Sequence, residues 1–155
     1  MTLSHFIKAA IAFILFSFIL IDCQRCSPER VHSPHDDGVK TYEEFKTSAL
    51  HSPYSAAIER RQTILGGYSR LSIGITKDSV KKLIGLPDCG TELYGKEDHR
   101  YVGSGWEYIF FKNELKLVNE KLDTVIFVYF DPEGKTAWIV PANLEGLQQF
   151  GYPGK

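Results

Sequence analysis

The run IGITKDSVKKLIGLPD, residues 73–88, constrains the fold more than any other stretch of this chain. Thr76 can cap a helix, because its hydroxyl accepts one of the backbone N–H groups left open at a helix start. The apolar residues that follow share one helix face: Val80, Leu83 and Ile84. Gly85 suits the left-handed residue that ends helices, and Pro87 prevents continuation. The pattern predicts a helix too short to be stable unless it docks on another element.

Two segments before this helix have weaker helical signals. Residues 41–51 are expected to form a helical turn or two at most. Ser52 and Pro53 are typical of a helix start, and apolar residues recur at helical spacing after them. Gly66 and Gly67 are expected to end this helix. We therefore predict two helices before any strand, one from Ser52 to Gly67 and one within residues 73–88.

The composition of the chain changes after Pro87. Residues 88–100 are rich in glycine and charge and predict a loop. Three strand-like runs then follow, at residues 101–112, 122–131 and 136–140. The prediction is an α+β fold, with two N-terminal helices packed on a three-stranded antiparallel β-meander. Pro141 is expected to end the last strand and to begin a weakly ordered tail.

Both faces of the predicted sheet are apolar, whereas a half-buried antiparallel sheet alternates apolar and polar residues. The second face must then be covered by the N-terminal segment, by the C-terminal tail or by a partner protein. The aromatic residues of these strands form the candidate binding face: Trp106, Tyr108, Phe127 and Tyr129.

The N-terminus has the proportions of an export signal, with basic Lys8 before an apolar run at residues 9–21. The residues after it, ending in Asp22 and Cys23, resemble a bacterial lipobox, in which the cysteine is lipidated. Three outcomes stay open: lipidation at Cys23, an uncleaved membrane anchor, or ordinary secretion. All three deliver the domain outside the cytoplasm, and the predicted location is the bacterial cell envelope, with the protein anchored to a membrane and facing the periplasm. The predicted organisation is a signal or anchor (residues 1–22), a tether (23–51), a domain (52–140) and a tail (141–155).

The cysteines fit an oxidising compartment. If Cys23 carries lipid, then Cys26 and Cys89 either form a disulfide or remain thiols. Four residues of the tether have side chains that can bind a transition metal: His32, His35, Asp36 and Asp37. A tether offers no preorganised geometry, so we predict neither a metal site nor a cofactor.

Composition and motifs exclude several classes of function. The net charge of −1 and the absence of a basic stripe argue against nucleic-acid binding. Cys89, Asp98 and His99 could supply a nucleophile and a base, but polar loops contain such residues routinely. We therefore predict a protein that is not an enzyme.

The helix described first also carries a family resemblance. Its pattern is similar to the signature of SmpA/OmlA lipoprotein domains, the BamE-like family, and the matching residues are Gly74, Thr76, Lys77, Val80, Leu83, Gly85, Pro87 and Asp88. Later strands match as well, at Trp106, Tyr108, Val128, Phe130, Asp131 and Gly134. The resemblance covers residues 52–140 and makes the residues of the helix signature structural.

The resemblance implies a small envelope lipoprotein domain that acts by binding another protein. The best-known member of the family is an accessory of the outer-membrane barrel assembly machine. The alternative is an inhibitor-like module that sequesters an envelope enzyme through its sheet face. The segment by which the assembly factor meets lipid and its partners has no counterpart here, so none of its residues is transferred.

Overall fold

The structure, a computed structural model, describes residues 38–49, 52–115 and 121–151. Within these ranges the chain forms three helices and a five-stranded antiparallel sheet, so the predicted α+β class is confirmed. The helices are α1 (Tyr42–Ser48), α2 (Ile58–Tyr68) and α3 (Lys77–Ile84). The strands are β1 (Tyr54–Ser55), β2 (Cys89–Tyr94), β3 (Tyr101–Lys112), β4 (Thr124–Phe130) and β5 (Thr136–Ala142). The predicted count of two helices and three strands was therefore too low.

Helix α3 forms where residues 73–88 predicted it. The Thr76 hydroxyl accepts a hydrogen bond from the Ser79 amide at 3.3 Å, as a helix cap does. Gly85 ends the helix with a φ of +84°, a conformation that glycine adopts without strain. Val80 and Ile84 are fully buried, so the predicted apolar face docks on the sheet.

The predicted helix from Ser52 to Gly67 is wrong at both ends. Its first part is strand β1, in which Tyr54 pairs with Lys112 and Ser55 with Phe111. Helix α2 begins at Ile58 and continues through both glycines to Tyr68. Gly67 does not end the helix; it permits close contact with α3, because a Cβ there would lie 2.1 Å from the Leu83 carbonyl oxygen.

The predicted loop at residues 88–100 contains strand β2, so that prediction was also wrong. β2 runs antiparallel to β3, with Cys89 opposite Glu107 and Thr91 opposite Gly105. Its sequence lacks apolar alternation because Thr91 and Glu92 are exposed at the edge of the sheet. The sheet order places β1 and β2 beside different parts of β3, followed by β4 and β5.

The C-terminal segment packs on the fold, contrary to the prediction of a weakly ordered tail. β5 continues through Pro141 to Ala142. Residues 143–150 then return along its edge, where Ile139 and Phe150 exchange backbone hydrogen bonds of 2.9 and 3.0 Å. Leu144 and Leu147 pack against the main core.

The two faces of the sheet have different covers. The first face, which carries Trp106, Tyr108, Ile126 and Val128, lies beneath α2, α3 and residues 144–150. The second face carries Cys89, Ile109, Val125 and Phe127, and α1 lies against it through Phe45. The predicted tether, which was to end at residue 51, therefore includes residues that are part of the folded unit.

Candidate binding surface on the second sheet face

The predicted binding face is divided between the two sides of the sheet. Trp106 and Tyr108 lie on the first face and are 1% and 0% exposed. The prediction that they belong to a binding surface was therefore wrong. Phe127 and Tyr129 are partly exposed on the second face. The register explains the division: Trp106 lies opposite Val128, so residues 127 and 129 point to the other side.

Helix α1 covers only one part of the second face. The helix starts in a capping box, in which the Thr41 amide donates to Glu44 at 2.7 Å and the Glu44 amide donates to Thr41 Oγ1 at 3.3 Å. Phe45, 4% exposed, packs against Ile109 and Val125 and meets the Tyr54 ring edge-on at 5.1 Å. The second face is thus closed around β1 and the C-terminal end of β3.

The remainder of the second face carries a row of stacked rings, which we call the aromatic ladder: Phe127, Tyr129 and Trp138. The Tyr129 ring lies 4.9 Å from Trp138 and 6.2 Å from Phe127, with interplanar angles of 20° and 16°. Gly105 makes room for it, since a Cβ there would lie 3.3 Å from the Tyr129 ring. At these distances and angles each ring is nearly parallel to its neighbour and stacks on it.

Sequence reasoning missed Trp138 as a member of this surface. It lies directly opposite Tyr129 across the β4–β5 pair. A register irregularity between Tyr129 and Phe130 shifts the pairing by one residue, so counting back from the turn does not place Trp138 on this face.

A polar pair lies beside the ladder, where the buried Cys89 and the partly buried Glu107 are cross-strand neighbours. The Cys89 thiol donates to the Glu107 carboxylate. Burial, together with the charges of Glu107 and Asp88, raises the pKa of Cys89 far above its ordinary value. Burial likewise raises the pKa of Glu107, against the opposing effect of Lys112. The thiol stays protonated at neutral pH and is a poor nucleophile.

The structure separates the residues considered for catalysis. Cys89 begins β2, whereas Asp98 and His99 lie in the turn after Tyr94. Five residue steps along a strand span roughly 17 Å. Cys89 is a free thiol among the residues that the structure describes. Cys26 and Cys23 lie outside the described ranges, so the disulfide and the lipidation remain predictions.

A buried ion pair anchors the closed end of the second face. Lys112 Nζ lies 2.9 Å from Asp123 Oδ2, and both side chains are 3% exposed. Burial by itself lowers the pKa of Lys112, but the hydrogen bond to Asp123 and the nearby Tyr42 raise it overall. The Asp123 carboxylate also accepts the Asn113 amide at 3.1 Å, which fixes the end of β3. The ion pair has a structural role, because each buried charge is compensated by the other.

The residues of the helix signature lie in and around α3. Gly74 has a φ of +86°, and its amide donates to the Thr136 carbonyl at 2.8 Å. Leu83 is partly buried and Pro87 is buried. These contacts fix the ends of α3 against β5 and the sheet, and they fit the structural roles that were predicted.

Within the described residues, no group of three or more His, Cys, Asp or Glu side chains is arranged to hold a metal ion. The His and Asp cluster of the tether lies outside those ranges. None of the three helices of the described chain has the length and apolar character to cross a membrane.

Comparisons with protein-family models, with curated proteins and with solved structures gave no match to this chain. The resemblance to SmpA/OmlA domains therefore remains a prediction from sequence. The α+β fold and the partly open second face are the observations on which function can be argued.

Proposed function

We propose that this chain is a non-enzymatic, membrane-tethered protein of the bacterial cell envelope, and that it binds another protein through the aromatic ladder. The observation that supports it is the partial exposure of three stacked rings beyond the edge of α1. Aromatic side chains are enriched at the centres of protein interfaces, where they bury much area with little loss of conformational freedom.

The geometry of the ladder favours a protein partner. Stacking holds each ring in place before binding, so little side-chain entropy remains to be lost. The ring edges carry partial positive charge, which suits backbone carbonyl groups or the faces of a partner's rings. The protonated, buried Cys89 thiol supports a role other than nucleophilic catalysis.

Site-specific photocrosslinking in the full chain tests this surface. Thr91 is an exposed residue of the second face, and its Cγ2 lies 3.7 Å from the position of a Cβ on Gly105. A photoreactive side chain at Thr91 should give an adduct in envelopes, and Tyr129→Ser in the same chain should remove it. Lys82, exposed on α3, is the matched control position and should give no adduct. Equal adducts at both positions, or an adduct indifferent to Tyr129→Ser, would contradict the proposal.

The identity of the adduct separates the two kinds of binder. Components of the outer-membrane barrel assembly machine would favour an assembly accessory. A single soluble enzyme, whose activity falls on binding, would favour the inhibitor-like alternative.

The tether is tested separately through Cys23. Incorporation of a radiolabelled fatty acid into the chain should disappear in a Cys23→Ser variant. Label that persists in the variant would exclude lipidation at this residue.

A further inference from the structure

One carboxylate, that of Glu107, borders the aromatic ladder on the second face. Glu107 lies opposite Phe127 across the β3–β4 pair, so one ring of the ladder is its cross-strand neighbour. A second ring lies beside it along β3, because the Tyr129 ring covers Gly105, two residues earlier on the same face. Glu107, Phe127 and Tyr129 are all partly exposed. A partner that binds the ladder therefore meets this carboxylate.

Glu107 forms no ion pair within residues 38–49, 52–115 and 121–151. The charged side chains that act on it are paired with one another. Lys112 attracts Glu107 but is bound to Asp123 at 2.9 Å. Asp88 repels Glu107 and is bound to Arg60 at 3.0 Å. Because these two pairs carry no net charge, Glu107 is left as the uncompensated charge of the cluster.

The surroundings of Glu107 compensate its charge only in part. The Cys89 thiol donates a hydrogen bond to the carboxylate, which as an ion can accept about four. Burial disfavours the charged form and raises the pKa of Glu107. A partner with a purely apolar surface would remove the remaining water and leave a buried, unpaired charge, which opposes binding. A partner that fits this surface must therefore bring a cation.

A guanidinium group suits this position better than an ammonium group does. Its planar fork forms two parallel hydrogen bonds with one carboxylate. It is also more weakly hydrated, so it loses less solvation when it is placed beside two aromatic rings. Arginine is likewise enriched among the residues that dominate the binding energy of protein interfaces.

We propose that the partner bound at the aromatic ladder is a protein that inserts an arginine side chain beside Phe127, where the guanidinium group pairs with the Glu107 carboxylate. The inference rests on the proposed function of the ladder and adds the chemistry of the partner. The carboxylate supplies the opposite charge, and the rings supply apolar contacts for the aliphatic part of the arginine.

Short peptides test this pairing on the purified full chain in non-ionic detergent. The probe is acetyl-Leu-Arg-Leu-amide, and its neutral match carries citrulline in place of arginine. Binding is followed through the indole N–H resonance of Trp138, which stacks on Tyr129 and is assigned by its absence in Trp138→Phe. The arginine peptide should bind about tenfold more tightly than the citrulline peptide, because charge-assisted hydrogen bonds are lost with the guanidinium group.

Glu107→Gln completes a double-mutant cycle with these two peptides. The variant keeps the size of the side chain and should stay folded, which its melting temperature checks. It should bind both peptides equally. The control Glu133→Gln, at an exposed carboxylate in the turn after β4, should keep the preference for arginine.

Three results of these titrations would overturn the proposal. One is a preference for the arginine peptide that persists in Glu107→Gln. Another is the absence of a saturable response to the arginine peptide in the parent. The third is a lysine peptide that binds the parent as tightly as the arginine peptide, because a guanidinium group would then have no advantage.

Photocrosslinking at Thr91 in envelopes separates this inference from the proposed function. Glu107→Gln should reduce the Thr91 adduct about tenfold, in line with the expected loss of affinity, and Glu133→Gln should leave it unchanged. An adduct that Tyr129→Ser removes but Glu107→Gln retains would leave the ladder as a binding surface and overturn the arginine pairing. Absence of the adduct in the parent would overturn the proposed function, while the peptide titrations would still decide the pairing.

Discussion

The two faces of the sheet are covered by different parts of the chain, and to different extents. The first face lies beneath two helices and the C-terminal segment, and its largest side chains, Trp106 and Tyr108, are almost wholly buried. Within residues 38–49, 52–115 and 121–151, the short helix α1 is the one helix that covers the second face, and the aromatic ladder there is partly exposed. The difference indicates that the first face supplies most of the stability and that the second is where a partner can gain contacts.

The two tryptophans of the chain, one on each face, test this difference most directly. Trp106→Ala removes a fully buried ring, and we expect it to lower the free energy of unfolding by about 3–5 kcal/mol. Trp138→Ala removes a partly exposed ring from the ladder and should lower it by about 1–2 kcal/mol. Urea unfolding of both variants measures the two values. Equal losses would show that the ladder is as much a part of the core as Trp106.

The two faces also differ in polarity, because the buried Lys112–Asp123 ion pair lies at the closed end of the second face. Asp123→Asn keeps an acceptor for the Asn113 amide but leaves the charged Lys112 without its ion-pair partner. We expect a loss of about 3 kcal/mol in the free energy of unfolding. The double variant Lys112→Met with Asp123→Asn should recover most of that loss, because no buried charge remains. A double variant as unstable as the single one would show that the residues act through packing alone.

The adjacent glycines of α2 test how the first face is closed. A Cβ on Gly67 would lie 2.1 Å from the Leu83 carbonyl oxygen, whereas a Cβ on Gly66 would meet nothing within 4 Å. Gly67→Ala should lower the free energy of unfolding by about 1–3 kcal/mol, because α2 and α3 must move apart. Gly66→Ala should raise it by about 0.5–1 kcal/mol, because alanine favours the helix. Stabilisation by both changes would contradict the close contact.

The smallest expected effect concerns Glu107 on the second face. Burial raises the pKa of Glu107, while an unfolded glutamate has a pKa of about 4.3. Its contribution to stability is therefore fully present below about pH 4.3 and is lost as the pH rises through the folded pKa. Glu107→Gln keeps an acceptor for the Cys89 thiol and removes the titration. The variant should gain melting temperature relative to the parent at pH 7 but not at pH 4. A gain independent of pH would show that the carboxyl does not titrate differently on folding.

Prediction from the sequence worked where the signal was local. Thr76, Val80 and Gly85 defined α3, because caps and apolar spacing act within a few residues of each other. The sequence Asp-Pro-Glu-Gly at residues 131–134 is typical of a tight turn, and there the Gly134 amide donates to the Asp131 carbonyl at 3.0 Å. Alternation along β4 places successive residues on opposite faces, and along β3 it does so up to the irregularity between Ile109 and Phe111.

The candidate binding residues show what the sequence could not predict, namely the face on which each aromatic side chain lies and whether it is buried. Trp106, Tyr108, Phe127 and Tyr129 were predicted to share one face, but the pairing of Trp106 with Val128 puts the first two on the opposite face from the last two. Alternation within one strand does not relate its faces to those of its neighbour, and it does not show which face is buried. That choice depended on where α1, α2 and α3 packed. Trp138 joined the ladder only through a register irregularity that its own sequence does not mark.

The sequence by itself determined the capped helix α3, the three long strands β3, β4 and β5, and therefore the α+β class. Only the tertiary structure made residues 54–55 and 89–94 into strands, because an edge strand is stabilised by its partner's backbone and needs no pattern of its own. The tertiary structure also decided that Gly67 lies at the contact between α2 and α3. It placed Trp106 and Tyr108 in the core and left the aromatic ladder partly exposed. These outcomes depend on pairing and packing between segments distant in sequence, which local preferences do not encode.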